Sequence, residues 1–185
     1  LGSDTSYQPW ITVSPDFEPF GDFSFTYWVD ITQNSPGKDV LEQDFAFDYN
    51  FNVLEGLQLL GYDGDSGLSK VFDFNFDTGY IYYDFPPSDT KSQEVYFGIE
   101  YNLPLSPSLF VYHDFDGGDG QWYEFGLSHD FDLKAFTVAT YVTVGYNHEQ
   151  WADSGTSTFS TCDFGFSIPI PVGGHMTLEP FLSYT

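Results

Sequence analysis

Basic residues are nearly missing from this chain. Four lysines (Lys38, Lys70, Lys91 and Lys134) and no arginine stand against 28 Asp and Glu, for a formal net charge of −24. Phosphate backbones are bound by Lys and Arg that displace counterions, so the balance argues against nucleic acid as a partner. An anionic membrane surface is repelled as well, unless divalent cations intervene. Cys162 is the single cysteine, which excludes an internal disulfide, a multi-cysteine zinc site and a CxxC redox motif. No apolar run approaches the roughly 18 residues of a transmembrane helix, an absence that leaves a transmembrane barrel open. The GxSxG, P-loop and HExxH motifs are also missing, so no familiar catalytic constellation is written in the chain.

What the chain does have is aromatic side chains: 21 Phe, 14 Tyr and four Trp. Disordered acidic chains are poor in such residues, so a folded protein is expected despite the charge. Its 185 residues suit a single domain over 1–185. The chain starts Leu1-Gly-Ser-Asp4 without a charged or apolar leader, and the expectation is an exported, mature form whose signal peptide is already removed.

The dominant pattern is strict alternation. Phe45, Phe47, Tyr49, Phe51 and Val53 alternate with Asp44, Ala46, Asp48, Asn50 and Asn52; Val95, Phe97, Ile99 and Tyr101 alternate with Glu94, Tyr96, Gly98 and Glu100. A strand places such sets on opposite faces, and helical spacing cannot. The same rule runs through 23–31 (with Trp28 the exception), 72–77, 123–128, 136–145 and 163–168, and a last strand is expected from Met176 to Tyr184. Turn chemistry separates the runs, among them Asn34-Ser-Pro-Gly37, Pro86-Pro-Ser-Asp89 and Asp116-Gly-Gly-Asp-Gly120. Short and long connections alternate, as in an up-and-down barrel. The fold class is therefore all-β, an antiparallel up-and-down β-barrel of about ten strands, with eight and twelve as alternatives. Residues 54–68 fit strand, helical turn or plug equally well.

Alternation does not say which face is wet. A soluble β-sandwich alternates too and is the competing fold. A small closed barrel has an interior only just filled by side chains, so turning every Phe and Tyr inward would overfill it. Tyr and Trp near strand ends suggest aromatic girdles, and no Lys lies on an apolar strand face. These features favour a barrel with its apolar face in lipid and its acidic face in the lumen.

A resemblance points the same way. Gly79-Tyr-Ile-Tyr-Tyr-Asp-Phe-Pro86, Glu94-Val-Tyr-Phe-Gly98, Ser106-Pro-Ser-Leu-Phe-Val-Tyr112 with Asp114, and Gly120-Gln-Trp-Tyr-Glu124 resemble the TorF-type (Gcw_chp) family of bacterial outer-membrane β-barrel proteins. The likeness covers residues 40–150, with 54–68 standing as an insertion. It implies a barrel in the bacterial outer membrane, with membrane lipid as its partner. The family brings no settled activity, so no functional residue is carried over.

In the membrane reading the lumen receives Asp22, Asp30, Asp44, Asp48, Asp73, Asp77, Glu94, Glu100, Glu124, Asp130, Asp163 and Glu179 with almost no basic partner. Such carboxylates must protonate, hydrate or bind cations. The expected role is structural, or permeation of small solutes with cation preference, and not enzymatic. Calcium is the candidate cofactor, since Asp114, Asp116 and Asp119 in one loop and Asp63 and Asp65 in another put hard oxygens on Gly-rich turns, without EF-hand spacing. An ordinary Asp/Gly turn is the plainer reading of both.

Two alternatives belong to other classes. One is a soluble secreted sandwich binding calcium or carbohydrate. The other is a barrel enzyme acting on lipid through His129, because Ser128-His129-Asp130 cannot form a triad by itself when strand neighbours face opposite sides. His113, His148 and His175 lack metal-ligand spacing to one another. Self-association into a homo-oligomer is compatible with the acidic surface.

Overall fold

Alternating segments bury nothing alone, so each needs a neighbour for its backbone groups, and in this chain that neighbour is the next segment. The computed structural model describes residues 6–15, 21–32, 39–63, 69–134, 136–152, 155–172 and 177–184. Its strands are β1 (Ser6–Tyr7), β2 (Trp10–Val13), β3 (Asp22–Thr32), β4 (Asp39–Asn52), β5 (Phe74–Phe85), β6 (Thr90–Tyr101) and β7 (Ser108–Asp114). They continue with β8 (Gly120–Asp132), β9 (Thr137–His148), β10 (Ser157–Ser167), β11 (Ile170–Pro171), β12 (Thr177–Leu178) and β13 (Phe181–Tyr184).

The main sheet runs β1-β3-β4-β5-β6-β7-β8-β9-β10-β13, with β2 also paired to β3 and every pairing antiparallel. This is the expected up-and-down meander, curled into a half-barrel of ten strands. A single sheet forms, and not the two facing layers of a sandwich; β11 and β12 make only a small separate ribbon. The Trp10 and Phe181 rings, from β2 at one edge of the curl and β13 at the other, lie 5.2 Å apart edge to face.

Two stretches depart from the pattern. Val53–Leu59 is an α-helix, α1, because Asn52 caps it, its Oδ1 accepting the Glu55 backbone N–H at 3.0 Å. A second short helix, α2 (Ser69–Phe72), takes Phe72 out of the expected strand, so β5 starts at Phe74. The expected last strand is divided between β12 and β13. Pro180 has no N–H for a ladder, and its carbonyl instead accepts from Ile168 at 3.1 Å.

The register fixes the faces. Phe25, Phe47, Phe97, Phe125, Phe164 and Phe166 share the convex face, and all are exposed; Phe97 keeps 55% of its surface and Phe164 54%. The concave face carries Asp44, Asp48, Asp77, Glu94, Glu124 and Asp163. Burial is thus inverted. Among the described residues the buried hydrophobics are only Val29 and Tyr96, while Ser92, Glu94, Asp114, Gln150 and Ser167 are buried polar groups.

Candidate functional site

The concave face is built by reach across intervening strands. Tyr96 on β6 passes over Gly79 on β5 to donate its hydroxyl to Asp48 on β4. A Cβ at Gly79 would stand 2.4 Å from the Tyr96 ring, so glycine is what lets the ring lie down. The device recurs: Phe110 lies over Gly98, Trp122 over Gly145 and Tyr141 over Gly165. These rings fill much of the concave side, which is therefore aromatic as well as acidic.

Glu94 is a buried carboxylate of this face. It is 3% exposed, and its two oxygens accept from Tyr83 Oη at 2.8 Å and Gln150 Nε2 at 2.5 Å. Asp44 lies within electrostatic reach of Glu42 and Glu94, and its Oδ1 is buried without a hydrogen-bond partner among the described residues, as is that of Asp30. Asp77 accepts from Asn50 Nδ2 at 2.5 Å, Asp48 from Ser24 Oγ at 2.9 Å, and Glu124 faces Asp163. Among the described residues no lysine relieves this charge from within: Lys70 sits in α2 and Lys134 in a turn, and Lys91, expected off the apolar strand faces, stands on the convex face as the second residue of β6, beside the 86–89 turn; Lys38 lies outside the described residues.

Of the remaining acids expected in the lumen, Glu100 lies on the concave face, and Asp22 and Asp130 share that face at an exposed strand end. Asp73 precedes β5, where it accepts from Asn102 Nδ2 at 2.7 Å at the mouth. Glu179 accepts from Ser167 Oγ at 2.6 Å.

Two of the acids considered for calcium, Asp114 and Asp116, have other partners. Asp114 is fully buried, both oxygens accepting from Ser92 Oγ at 2.7 and 2.6 Å, and Gly117 N–H donates to that same oxygen at 2.9 Å. This knot fixes the β7–β8 turn. Asp116 accepts from Gln93 Nε2 at 3.1 Å, and Asp119 holds a left-handed φ of 39°. Among the described residues no three His, Cys, Asp or Glu gather as a metal-binding group. Asp63 is exposed beyond α1; Asp65 lies outside the described residues, as does His175.

His129 faces the convex side, its ring 4.7 Å from that of Phe131, and its cross-strand neighbour is Thr140, not a serine. His113 lies 3.3 Å from the Gly120 carbonyl, and His148 lies 2.7 Å from Ser157 Oγ. Three tryptophans expected near girdles face inward, since Trp10 pairs with Trp28, Trp28 with Asp44, and Trp122 covers Gly145. Of the convex tyrosines, Tyr49 and Tyr101 lie toward one end and Tyr82, Tyr123 and Tyr146 toward the other, while Tyr27 and Tyr80 lie mid-strand.

Sequence reasoning missed Gln150, Trp151 and the glycine platforms. The platforms left a signal, because Gly79, Gly98, Gly145 and Gly165 each occupy a polar-face position of an alternating run. No family model matches the chain, and no curated protein or solved structure does either.

Proposed function

We propose that the protein is a non-enzymatic β-barrel of the bacterial outer membrane, with a structural role or one in passing small cations along an acidic, aromatic lumen. The observation that carries this reading is the inverted burial. Soluble proteins rarely expose contiguous apolar patches beyond a few hundred Å², whereas here exposed Phe side chains recur on the convex face of strand after strand. Lipid satisfies such a face, and a hydrated lumen satisfies the carboxylates. The convex tyrosines that lie toward the two ends suit two lipid–water interfaces, whereas Tyr27 and Tyr80 stand between them. The resemblance to the TorF-type family supports the same reading on its aromatic motifs alone.

Topology suggests an orientation. The connections 86–89 and 115–119 lie at the end where β1 starts and toward which β13 runs, and they are short. The long connection 53–73 lies at the opposite end. Short turns face the periplasm in barrels of this class, so 53–73 is assigned to the outside.

Reconstitution in planar bilayers under a salt gradient tests the permeation role. Any conductance is expected to be small, with a reversal potential favouring cations and a weaker preference in Glu124→Gln. Anion selectivity would refute cation passage.

A further inference from the structure

The concave face holds a cavity of about 300 Å³ near the end that bears the 86–89 and 115–119 turns. Five aromatic side chains line it: Tyr83, Phe85, Tyr112, Trp122 and Trp151. Three carboxylates, Glu42, Glu94 and Glu124, line it too, together with Gln150 and no basic residue. We propose that this cavity binds a small organic ammonium cation, held by aromatic faces and by carboxylates around them.

The walls are positioned by bonds of their own. Trp151 donates its backbone N–H to the Gly118 carbonyl at 2.9 Å, and its ring meets Phe85 edge to face at 5.6 Å. Trp122 is laid flat by Gly145. Tyr83 and Gln150 hold Glu94 from two sides. Glu124 makes no hydrogen bond among the described residues, yet it lines the cavity and faces Asp163.

The chemistry selects the ligand class. An inorganic dication needs several oxygens converging on one point, and these three carboxylates form no such group among the described residues. A tetraalkylammonium ion spreads its charge over a larger surface, cannot draw carboxylates close, and gains from aromatic faces within about 6 Å. The volume is at the small end of ligand pockets, which suits a compact amine and not an oligosaccharide. The proposal rests on the cavity and the concave face, and holds whether the convex face meets lipid or another protein.

The test is isothermal titration of the folded full chain with tetramethylammonium chloride, beside sodium chloride and the neutral isostere tert-butanol. Saturable binding of tetramethylammonium, at least about tenfold tighter than either control, is expected. Glu124→Gln and Trp151→Leu should each weaken it by roughly tenfold, whereas His129→Ala on the convex face should leave it unchanged. Equal binding of tert-butanol would reduce the cavity to an apolar cleft, and displacement by equimolar sodium would reduce it to general charge attraction. Either result, or no binding at all, overturns the proposal. Should both cavity variants fail to fold, the comparison of ligands on the unaltered chain still decides.

Discussion

At the scale of single residues, the chain places its rings and charges opposite to the arrangement of a water-soluble core. Phe97 shows the consequence best, because it sits mid-strand in β6 on the convex face, 55% exposed, with Thr78 and Val111 beside it on the neighbouring strands. In a bilayer, Phe97→Arg puts a cation near the midplane and should cost roughly 2–4 kcal/mol of stability, read as a lower urea midpoint for folding into vesicles. In water the same exposed position should change stability by no more than about 0.5 kcal/mol, so a neutral result counts against lipid contact. The two-residue period made Phe97 and Glu94, both on β6, legible in sequence as members of opposite faces. Which face curled inward was not, because alternation is symmetric and curvature is decided by side chains reaching across strands. Tyr96 meets Asp48 only because Gly79 intervenes, and that three-strand relation has no local signature.

Elements were legible where the pattern was regular and not where proline or a capping residue broke it. Strands β3 to β10 follow the alternation nearly residue for residue, and each pairs with the next strand in sequence, β4 with β5 across the two helices. The 54–68 stretch held three readings in the sequence, and the Asn52 cap resolves its first half into α1. That helix buries none of its residues, and it touches the sheet through β4 and β5 alone. Loop closure depends weakly on length, each doubling costing only about 0.6 kcal/mol. Replacing 54–72 by a short Gly/Ser turn should therefore leave strand content by circular dichroism intact, with little change in the urea midpoint. Collapse of the fold on that replacement would show α1 to be an organising plug. The β7–β8 turn is a different case: its Asp residues suggested calcium, but Asp114 is turned inward onto Ser92, a contact between residues far apart in sequence that no loop motif announces.

For the whole molecule, a charge of −24 and a wealth of aromatic residues look contradictory until the two are assigned to different solvents. Among the described residues a half-barrel with buried Glu94 and exposed phenylalanines buries only Val29 and Tyr96 of its large hydrophobic side chains, and the hydrophobic effect stabilises only surface removed from water. On the proposed membrane reading, lipid around the convex face supplies that removal. The architecture follows from period and turn chemistry, while the aromatic and carboxylate cavity arises from curvature and from Gln150 and Trp151, which lie past the end of β9. The most direct test of the account is whether the refolded chain is monodisperse without detergent, measured by light scattering beside a heat-modifiable gel shift. The account predicts aggregation in plain buffer, and in detergent or vesicles a folded monomer or discrete oligomer with shifted mobility on heating. A stable, monodisperse species in buffer alone would contradict it, since the convex phenylalanines would then have to be covered by protein.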